Sequence, residues 1–334
     1  MAERNIWVGF DLGGTKMLSK VYDAKFQELG SERKKTKGHL GADVGIDRIT
    51  DTIRAALEIA KVEASQIAGI GIGCPGPIDM EKGVILDPPN LGWGEVPMRK
   101  RLEKAFDCPV SVANDVDVGV YGEYRFGAAQ GVRTVLGVFP GTGIGGGCIY
   151  DGNILRGARC SCVEIGHIPV VPDGPLCGCG QRGCLEAVAS RLAVSASVAK
   201  SAYRGEAPHV QKVAGTDLSQ IRSSTLANAI KAGDKVVEKI LRDAATHIGT
   251  ALAGVVHLIS PDVVVLGGGL IEAMPDLFVK EVMSSARSRV MAAYRDTFKV
   301  VEAKLGDDAG VLGAAAWAEK TFNGESVKNH KDGS

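Results

Sequence analysis

The chain has 334 residues, with 39 basic and 39 acidic side chains and 45% hydrophobic residues. This length suits two domains, and the hydrophobic fraction is enough for sizeable cores. The balanced charge argues against binding to nucleic acid or a membrane surface. No run approaches the ~20 apolar residues needed to cross a bilayer, and the N-terminus lacks a signal-peptide core. We therefore expect a cytoplasmic protein whose eight cysteines are thiols or metal ligands.

The first predicted element is an apolar strand over residues 6–10, which leads into a glycine-rich loop with the sequence DLGGTK at 11–16. Glycine lets successive backbone N–H groups converge on an oxyanion, so we interpret the loop as a phosphate cradle. An aspartate at a strand end is also suited to hydrated Mg²⁺. The candidate residues are Asp11, Gly13, Gly14, Thr15 and Lys16. An ordinary hairpin turn is the alternative, and the lysine is then simply exposed to solvent.

The next elements lead to a pair of polar residues. They are a helix over 46–62, an apolar strand over 66–78, a short helix over 97–106 and a strand over 110–112. The last strand delivers Asn114 and Asp115 at its carboxyl end, where α/β folds usually place their chemistry. Because the acid lies between two glycine-rich loops, we predict phosphoryl transfer with Asp115 as the proton acceptor. The alternative for Asp115 is a helix N-cap.

A second strand, over 134–139, precedes a second glycine-rich loop with the sequence GTGIGGG at 141–147. Its candidate phosphate ligands are Gly141, Thr142 and Gly143. This loop also fits G-x-G-x-x-G, as do residues 71–76, but a dinucleotide site needs the motif to run from a strand directly into a helix. Prolines flank Gly76, and a returning strand follows the second loop. Hairpins therefore fit both places better than a Rossmann crossover.

A histidine and three closely spaced cysteines form the sharpest local pattern. They are His167, Cys177, Cys179 and Cys184. One His and three Cys make a closed tetrahedral Zn²⁺ site of the structural kind, with no position left for water. We expect the metal to fix the loop that carries Glu186. The alternatives are free thiols, a core histidine and a solvated helix residue. The other five cysteines are predicted to be core or loop thiols: Cys74, Cys108, Cys148, Cys160 and Cys162.

The remaining elements repeat the plan of the first half. They are a long helix over 235–259, a strand over 263–266 with glycines at 267–269, a last helix over about 310–320 and a polar, flexible segment over 323–334. The repetition of strand, glycine turn and helices predicts two related domains that face each other across a cleft. Such a cleft can close on a substrate and exclude water.

Taken together, these motifs resemble the ROK family of sugar kinases and repressors. The resemblance runs from about residue 5 to about residue 320. It rests on the two glycine loops and the Asn-Asp pair, and on the sequences EIGH at 164–167, CGCGQRGCLE at 177–186 and DDAG at 307–310. It implies an α/β fold of the actin-like, hexokinase-like ATPase class, with two RNase H-like domains around a cleft.

The resemblance also implies roles for individual residues. Asp115 would be the catalytic base, and His167 would place one ring nitrogen on zinc and the other toward the sugar. The sugar ligands would be Asn114, Asp115, Glu164, His167 and Glu186, with Asn90 added from a loop similar to the glucokinase version. Gly268 and Gly269 would face the adenosine. The sequence departs from the family pattern at residues 159–163, which read RCSCV where family members have small residues and a glycine. This departure bears on the backbone path beside Glu164.

Domain limits and assembly follow from the same resemblance. We expect a smaller α/β domain of residues 1–116 plus 308–322, a larger α/β domain of residues 117–307 with the zinc loop, and a flexible tail at 323–334. The family's repressors carry an N-terminal helix-turn-helix, for which we expect no room before the first strand. A homo-oligomer, dimer or tetramer, is expected.

The predicted function is ATP-dependent phosphorylation of the 6-hydroxyl of a hexose, with Mg²⁺ and a structural Zn²⁺ as cofactors. Glucose is the first substrate to consider. Fructose, mannose or an N-acetylhexosamine would need only a few different hydroxyl contacts, and polyphosphate is an alternative donor. A non-catalytic sugar sensor or repressor is the alternative from another class, and a chaperone-like ATPase of the same fold would leave the zinc cluster unexplained.

Overall fold

The computed structural model describes residues 4–86, 88, 91–158 and 162–328. The chain forms two compact units. The first contains residues 1–131, 148–162 and 307–334, and the second contains residues 132–147 and 163–306. The domain limits expected from the sequence differ from this partition and remain a prediction.

Strands and helices follow one another in this order through the first third of the chain: β1 (Ile6–Leu12), β2 (Lys16–Tyr22), β3 (Glu28–Lys35), α1 (Ala42–Ala60), β4 (Ile67–Cys74), β5 (Ile78–Asp79), β6 (Val84–Ile85), α2 (Met98–Phe106), β7 (Val110–Asn114) and α3 (Asp115–Phe126). The remaining elements are β8 (Thr134–Pro140), β9 (Ile144–Tyr150), β10 (Asn153–Ile154), α4 (Leu185–Ala189), α5 (Arg191–Tyr203), α6 (Pro208–Val213), α7 (Ser223–Lys231), α8 (Lys235–Ile259), β11 (Val263–Leu266), α9 (Gly269–Ala273), α10 (Pro275–Arg289), β12 (Lys299–Glu302) and α11 (Asp308–Lys328).

The first unit is built on a five-stranded sheet with the order β3-β2-β1-β4-β7. β1, β4 and β7 run parallel, and the pairing of Asp11 with Gly73 and of Cys74 with Asn114 brings their carboxyl ends to one edge. Helix α11 lies directly on this sheet. A methyl group at Gly9 or Gly71 would overlap the α11 backbone, so glycine is what permits the close approach. This packing brings the start of α11 to the edge where Asp11 lies.

The prediction for residues 71–76 is half right. No helix opens there, as expected, but the segment is not a hairpin either. β4 pairs in parallel with its neighbours, and the chain after it enters a separate two-stranded ribbon of β5 and β6. A hairpin requires the returning strand to pair with the one before it, and here the positions on both sides of β4 are occupied by parallel strands.

The second unit centres on β8, β11 and β12, which are parallel neighbours, with β9 on the other side of β8. β9 continues beyond Gly147 into residues of the first unit, where its end pairs with β10. The returning strand after the second glycine loop is therefore confirmed. The core of this unit packs helices α8 and α10 together beside the sheet, with Ile248, Leu252 and Phe278 fully buried.

The long helix and the strand after it have the bounds that the sequence predicts, Lys235–Ile259 and Val263–Leu266. The last helix is longer than predicted, because it continues to Lys328. Residues 329–334 of the predicted tail lie outside the described residues. Among the described residues, no helix combines the length and the hydrophobicity needed to cross a membrane.

Candidate functional site

The first unit collects its polar candidates where three parallel strands end. Asp11 lies near the end of β1, Cys74 ends β4, and Asn114 ends β7. Burial raises the pKa of the Cys74 thiol well above its usual value, and the charges of Asp115 and Asp11 raise it further. Both carboxylates therefore act on the same sulfur, which places them near one another.

The loop after β1 is a hairpin turn held by two hydrogen bonds at Gly13. The Gly13 N–H donates to the Lys16 carbonyl (3.0 Å), and the Thr36 hydroxyl donates to the Gly13 carbonyl (2.6 Å). Gly14, Thr15 and Lys16 are exposed. The hairpin interpretation is thus correct for the backbone, and it leaves the tip of the loop accessible. The buried Thr36, 21 residues beyond Thr15, was not marked by any local pattern.

Asn114 and Asp115 begin helix α3. The Asn114 side chain caps the helix, accepting from the backbone N–H groups of Val116 (2.9 Å) and Asp117 (3.3 Å). Its amide group donates to the Gly76 carbonyl (3.3 Å). Asp115 is the first helical residue, and its Oδ1 also accepts from the Val116 N–H (2.9 Å). The capping role weighed for Asp115 therefore belongs to Asn114, and this fixes the backbone that presents the acid.

Asp11 lies in a concentration of negative charge. Burial, Asp115 and Asp307 together raise the pKa of Asp11 to about 7, and Arg33 opposes them only in part. The Arg33 guanidinium is bonded to Asp307 (3.3 Å). Gly310 at the start of α11 is close enough that a methyl group there would lie 3.3 Å from the Asp11 carboxyl carbon. A site with several oxygen ligands and excess negative charge fits Mg²⁺, whose charge would favour ionised Asp11.

The second glycine loop is held by contacts within the second unit. The Gly141 N–H donates to the Gly143 carbonyl (2.8 Å), and the Arg191 N–H donates to the Gly141 carbonyl (2.9 Å). The Arg191 guanidinium donates to the Thr142 hydroxyl (3.1 Å), and the Ile144 N–H donates to Glu186 Oε2 (2.9 Å). The loop is therefore held in place by the side chains of Arg191 and Glu186.

A groove of 830 Å³ opens beside this loop, entirely within the second unit. Its walls combine exposed leucines with arginine, serine and glutamate side chains, and include two of the predicted nucleotide-binding glycines. The lining residues are Gly141, Arg191, Leu192, Leu218, Ser219, Arg222, Ser223, Ser224, Gly269, Glu272 and Ala273. The volume and the mixture of apolar and polar groups suit a nucleoside. Gly268, adjacent to the groove, has φ = 87°, a conformation in which a side chain would be strained.

The four predicted metal ligands come together, with their ligand atoms all within 4.8 Å of one another. Two separations are 3.7 Å: Cys179 Sγ to Cys184 Sγ, and Cys177 Sγ to His167 Nδ1. Because a Zn–S bond is about 2.3 Å, the edge of a tetrahedral site is about 3.8 Å. A backbone hydrogen bond from Gln181 lowers the pKa of Cys179, whereas burial raises the pKa of Cys177 and of Cys184. The residues present fit a tetrahedral Zn²⁺.

These features have counterparts in known proteins. Residues 7–321 match the ROK family. The chain belongs to this family. It is 34% identical over 318 residues to a glucokinase of Thermotoga maritima, with 95% of this chain and 98% of that protein covered.

Solved structures of ROK proteins support the same assignment. A ROK family glucokinase of Streptomyces griseus in complex with glucose and AMPPNP has a TM-score of 0.80 and 32% identity, covering 94% of this chain and 99% of that one. A ROK hexokinase of Thermus thermophilus has a TM-score of 0.79 and 33% identity, covering 96% and 99%. The predicted family and the predicted actin-like fold are confirmed.

The sugar-side candidates of this ROK chain follow an unusual backbone. Val163 has φ = 69°, a left-handed conformation that β-branched residues rarely adopt. Glu164 comes next and is exposed, and His167, also exposed, turns Nδ1 toward the cysteines. Asn90 lies outside the described residues, as do residues 159–161 of the departing sequence. Arg191 was not predicted from the sequence. The one indication of its role was its position two residues after α4, the helix that carries Glu186.

Proposed function

We propose that this ROK protein transfers the γ-phosphoryl group of ATP to the 6-hydroxyl of a hexose, with glucose as the principal substrate. The observation that carries the proposal is the position of Asp115. It is the first residue of α3, at the carboxyl end of β7, beside Asp11 and on a backbone fixed by the Asn114 cap. The similarity to glucokinases supports glucose over fructose, mannose or an N-acetylhexosamine.

Residues of the first unit would supply the proton acceptor and one phosphate cradle. Asp115 would accept the proton of the sugar 6-hydroxyl as the oxygen attacks phosphorus, a positioning task that phosphoryl transfer requires more than covalent chemistry. Gly13, Gly14, Thr15 and Lys16 would direct N–H groups and side-chain donors toward the phosphates. Asp11 would hold Mg²⁺, which when bound neutralises phosphate charge.

Residues of the second unit would bind the nucleotide. Gly141, Thr142 and Gly143 would bind phosphate oxygens, and the groove that includes Gly269 would take the nucleoside. Gly268 would leave room for it. AMPPNP, an ATP analogue, is present in the complex of the Streptomyces griseus relative. This supports ATP over polyphosphate as the donor.

Sugar binding and metal binding are proposed for the same short stretch of the second unit. Glu164, His167 and Glu186 would bind sugar hydroxyls, with Asn114 and Asn90 from the first part of the chain. The ligands His167, Cys177, Cys179 and Cys184 would bind one Zn²⁺, which would hold the loop without taking part in the reaction. A cytoplasmic homo-oligomer, dimer or tetramer, remains our prediction.

The test is ADP release from Mg-ATP by the purified protein with a panel of sugars and with polyphosphate as a second donor. We expect release with glucose at a kcat/KM at least ~10-fold above that for fructose, mannose and N-acetylhexosamines, a ratio typical of a few hydroxyl contacts. Preference for another sugar would change the assigned substrate and leave the proposed mechanism unchanged. No transfer from either donor to any sugar would contradict the proposal and favour a sugar sensor.

A further inference from the structure

Glu186 engages both of its carboxylate oxygens inside the second unit, with partners of two different kinds. Oε2 accepts the backbone N–H of Ile144 at 2.9 Å, in the middle of the second glycine loop, where β9 begins. Oε1 lies 3.7 Å from the sulfur of Cys177, one of the four clustered metal ligands, and accepts its S–H proton as long as no metal has displaced that proton. The Glu186 side chain therefore contacts both the second glycine loop and the Cys-His cluster, which consists of His167, Cys177, Cys179 and Cys184.

The contact with the loop is tight as well as directional. A methyl group at Gly143 would overlap Glu186 Oε2, so the carboxylate fills the space that a side chain there would take. The Gly141–Gly143 hydrogen bond closes the loop just beside this contact. Because the loop consists mostly of glycines, it has little side-chain packing of its own. Its shape depends on the groups that hold it from outside.

Backbone hydrogen bonds hold Glu186 next to two of the proposed metal ligands. Cys184 is the residue before helix α4, and its carbonyl accepts the Ala187 N–H (3.0 Å). The Leu185 N–H donates to the Ile168 carbonyl (2.9 Å), one residue beyond His167. Cys184 is thus two residues before Glu186, and His167 is next to Ile168, whose carbonyl accepts from the residue before Glu186. Ordering of the cluster by a metal would order this short helix.

We propose that Glu186 is a positioning residue that transmits metal occupancy of the Cys-His cluster to the second glycine loop. The kinetic part of this proposal, a change in donor affinity, rests on the proposed function. The structural part does not. A role limited to sugar binding would leave the exchange of the Ile144 amide independent of the metal.

The test measures hydrogen exchange at the Ile144 amide in the metal-loaded protein and after removal of metal with a chelator, with metal content measured in parallel. In the wild type we expect chelation to speed this exchange at least ~10-fold, since an amide loses protection when its local structure opens more often. In Glu186→Ala the amide should exchange fast in both states. Glu206→Gln, at an exposed carboxylate in the same unit, should behave as the wild type.

Two further variants keep the test decisive if Glu186→Ala loses metal. Glu186→Gln retains an oxygen that can accept the Ile144 N–H, so it should preserve most of the protection. Gly143→Ala displaces the carboxylate without touching a metal ligand, so Ile144 should exchange faster at unchanged metal content. Slow exchange in Gly143→Ala, or an equal effect of chelation in wild type and Glu186→Ala, would overturn the proposal.

The kinetic readout separates this proposal from the proposed function. If the protein phosphorylates sugars, Glu186→Ala and chelation should each raise the KM for ATP about 10-fold, and together they should do no more than either alone. Additive effects would contradict coupling through Glu186. A wild-type protein that phosphorylates no sugar would contradict the proposed function, and the exchange results would still decide the role of Glu186.

Discussion

The ends of the two sheets differ in how far their charged side chains are paired. In the first unit, Asp11 lies with Asp115 and Asp307, and the pKa of Asp11 rises to about 7. In the second unit, the glycine loop is held by a hydrogen bond that Arg191 donates to Thr142 and by one that Glu186 accepts from the Ile144 N–H. Crowded carboxylates cost stability unless a cation or a substrate relieves them, whereas a satisfied cradle is stable and preorganised. This difference supports our proposal that the proton acceptor and the Mg²⁺ ligand belong to the first unit and that the second unit supplies a preorganised phosphate cradle.

The largest effect is expected from Asp115→Asn, which removes the proton acceptor and keeps the size of the side chain. We expect kcat to fall about 10³-fold, within the range for loss of a general base. The KM for glucose should change less than about 3-fold, because binding contacts remain. Steady-state kinetics would measure both, with Asp47→Asn at an exposed aspartate as the matched control. Turnover near the wild-type rate would remove Asp115 from the mechanism.

The second effect concerns stability and pH. Because the pKa of Asp11 rises from 3.8 to about 7, the folded protein binds this proton more tightly than the unfolded chain. The associated stability is therefore complete below about pH 4 and is lost as the pH rises to about 7. Asp11→Asn should lose activity yet increase the free energy of unfolding at pH 8 by about 1 to 3 kcal/mol.

Urea denaturation in magnesium-free buffer at pH 5 and pH 8 would measure this effect. The gain from Asp11→Asn should be larger at pH 8 than at pH 5. Addition of Mg²⁺ should stabilise the wild type and leave the variant nearly unchanged. A variant that is less stable than the wild type at pH 8 would show that the carboxylate is not strained by its neighbours.

Much of the fold and of the candidate site could be predicted from the sequence, for physical reasons. The strand ends at Asp11 and Asn114 follow from apolar runs, and the metal ligands from spacing alone, because both signals are local. Thr36, Arg191 and the Gln181 amide were not predicted, since each acts on residues brought near by the fold. The hairpin prediction after β4 failed because strand pairing depends on which neighbours already occupy both sides of a strand.

The third effect tests the cradle of the second unit. Arg191→Ala removes the guanidinium that donates to Thr142 and keeps the backbone N–H that holds Gly141. We expect the KM for ATP to rise about 10-fold, equivalent to about 1.4 kcal/mol, with the KM for glucose unchanged. Initial-rate kinetics with both substrates varied would measure this. An equal rise in both KM values would mean that Arg191 supports the whole unit and not the donor loop.

The smallest effect concerns the left-handed backbone at Val163. Its side chain packs against the core of the second unit, which offsets the conformational cost. Val163→Ala loses this packing and keeps most of the strain, whereas Val163→Gly loses the packing and relieves the strain. The glycine variant should therefore be more stable than the alanine variant by about 1 kcal/mol. Thermal unfolding would compare the two, and a more stable alanine variant would contradict the conformation.

Product analysis tests most directly whether the protein transfers the γ-phosphoryl group of ATP to the 6-hydroxyl of a sugar. The wild-type protein is incubated with Mg-ATP and glucose, and the phosphorus-containing products are identified by ³¹P NMR spectroscopy. This mechanism predicts glucose 6-phosphate and ADP in equal amounts, with little inorganic phosphate. ADP with inorganic phosphate and unchanged glucose would contradict it and indicate an ATPase.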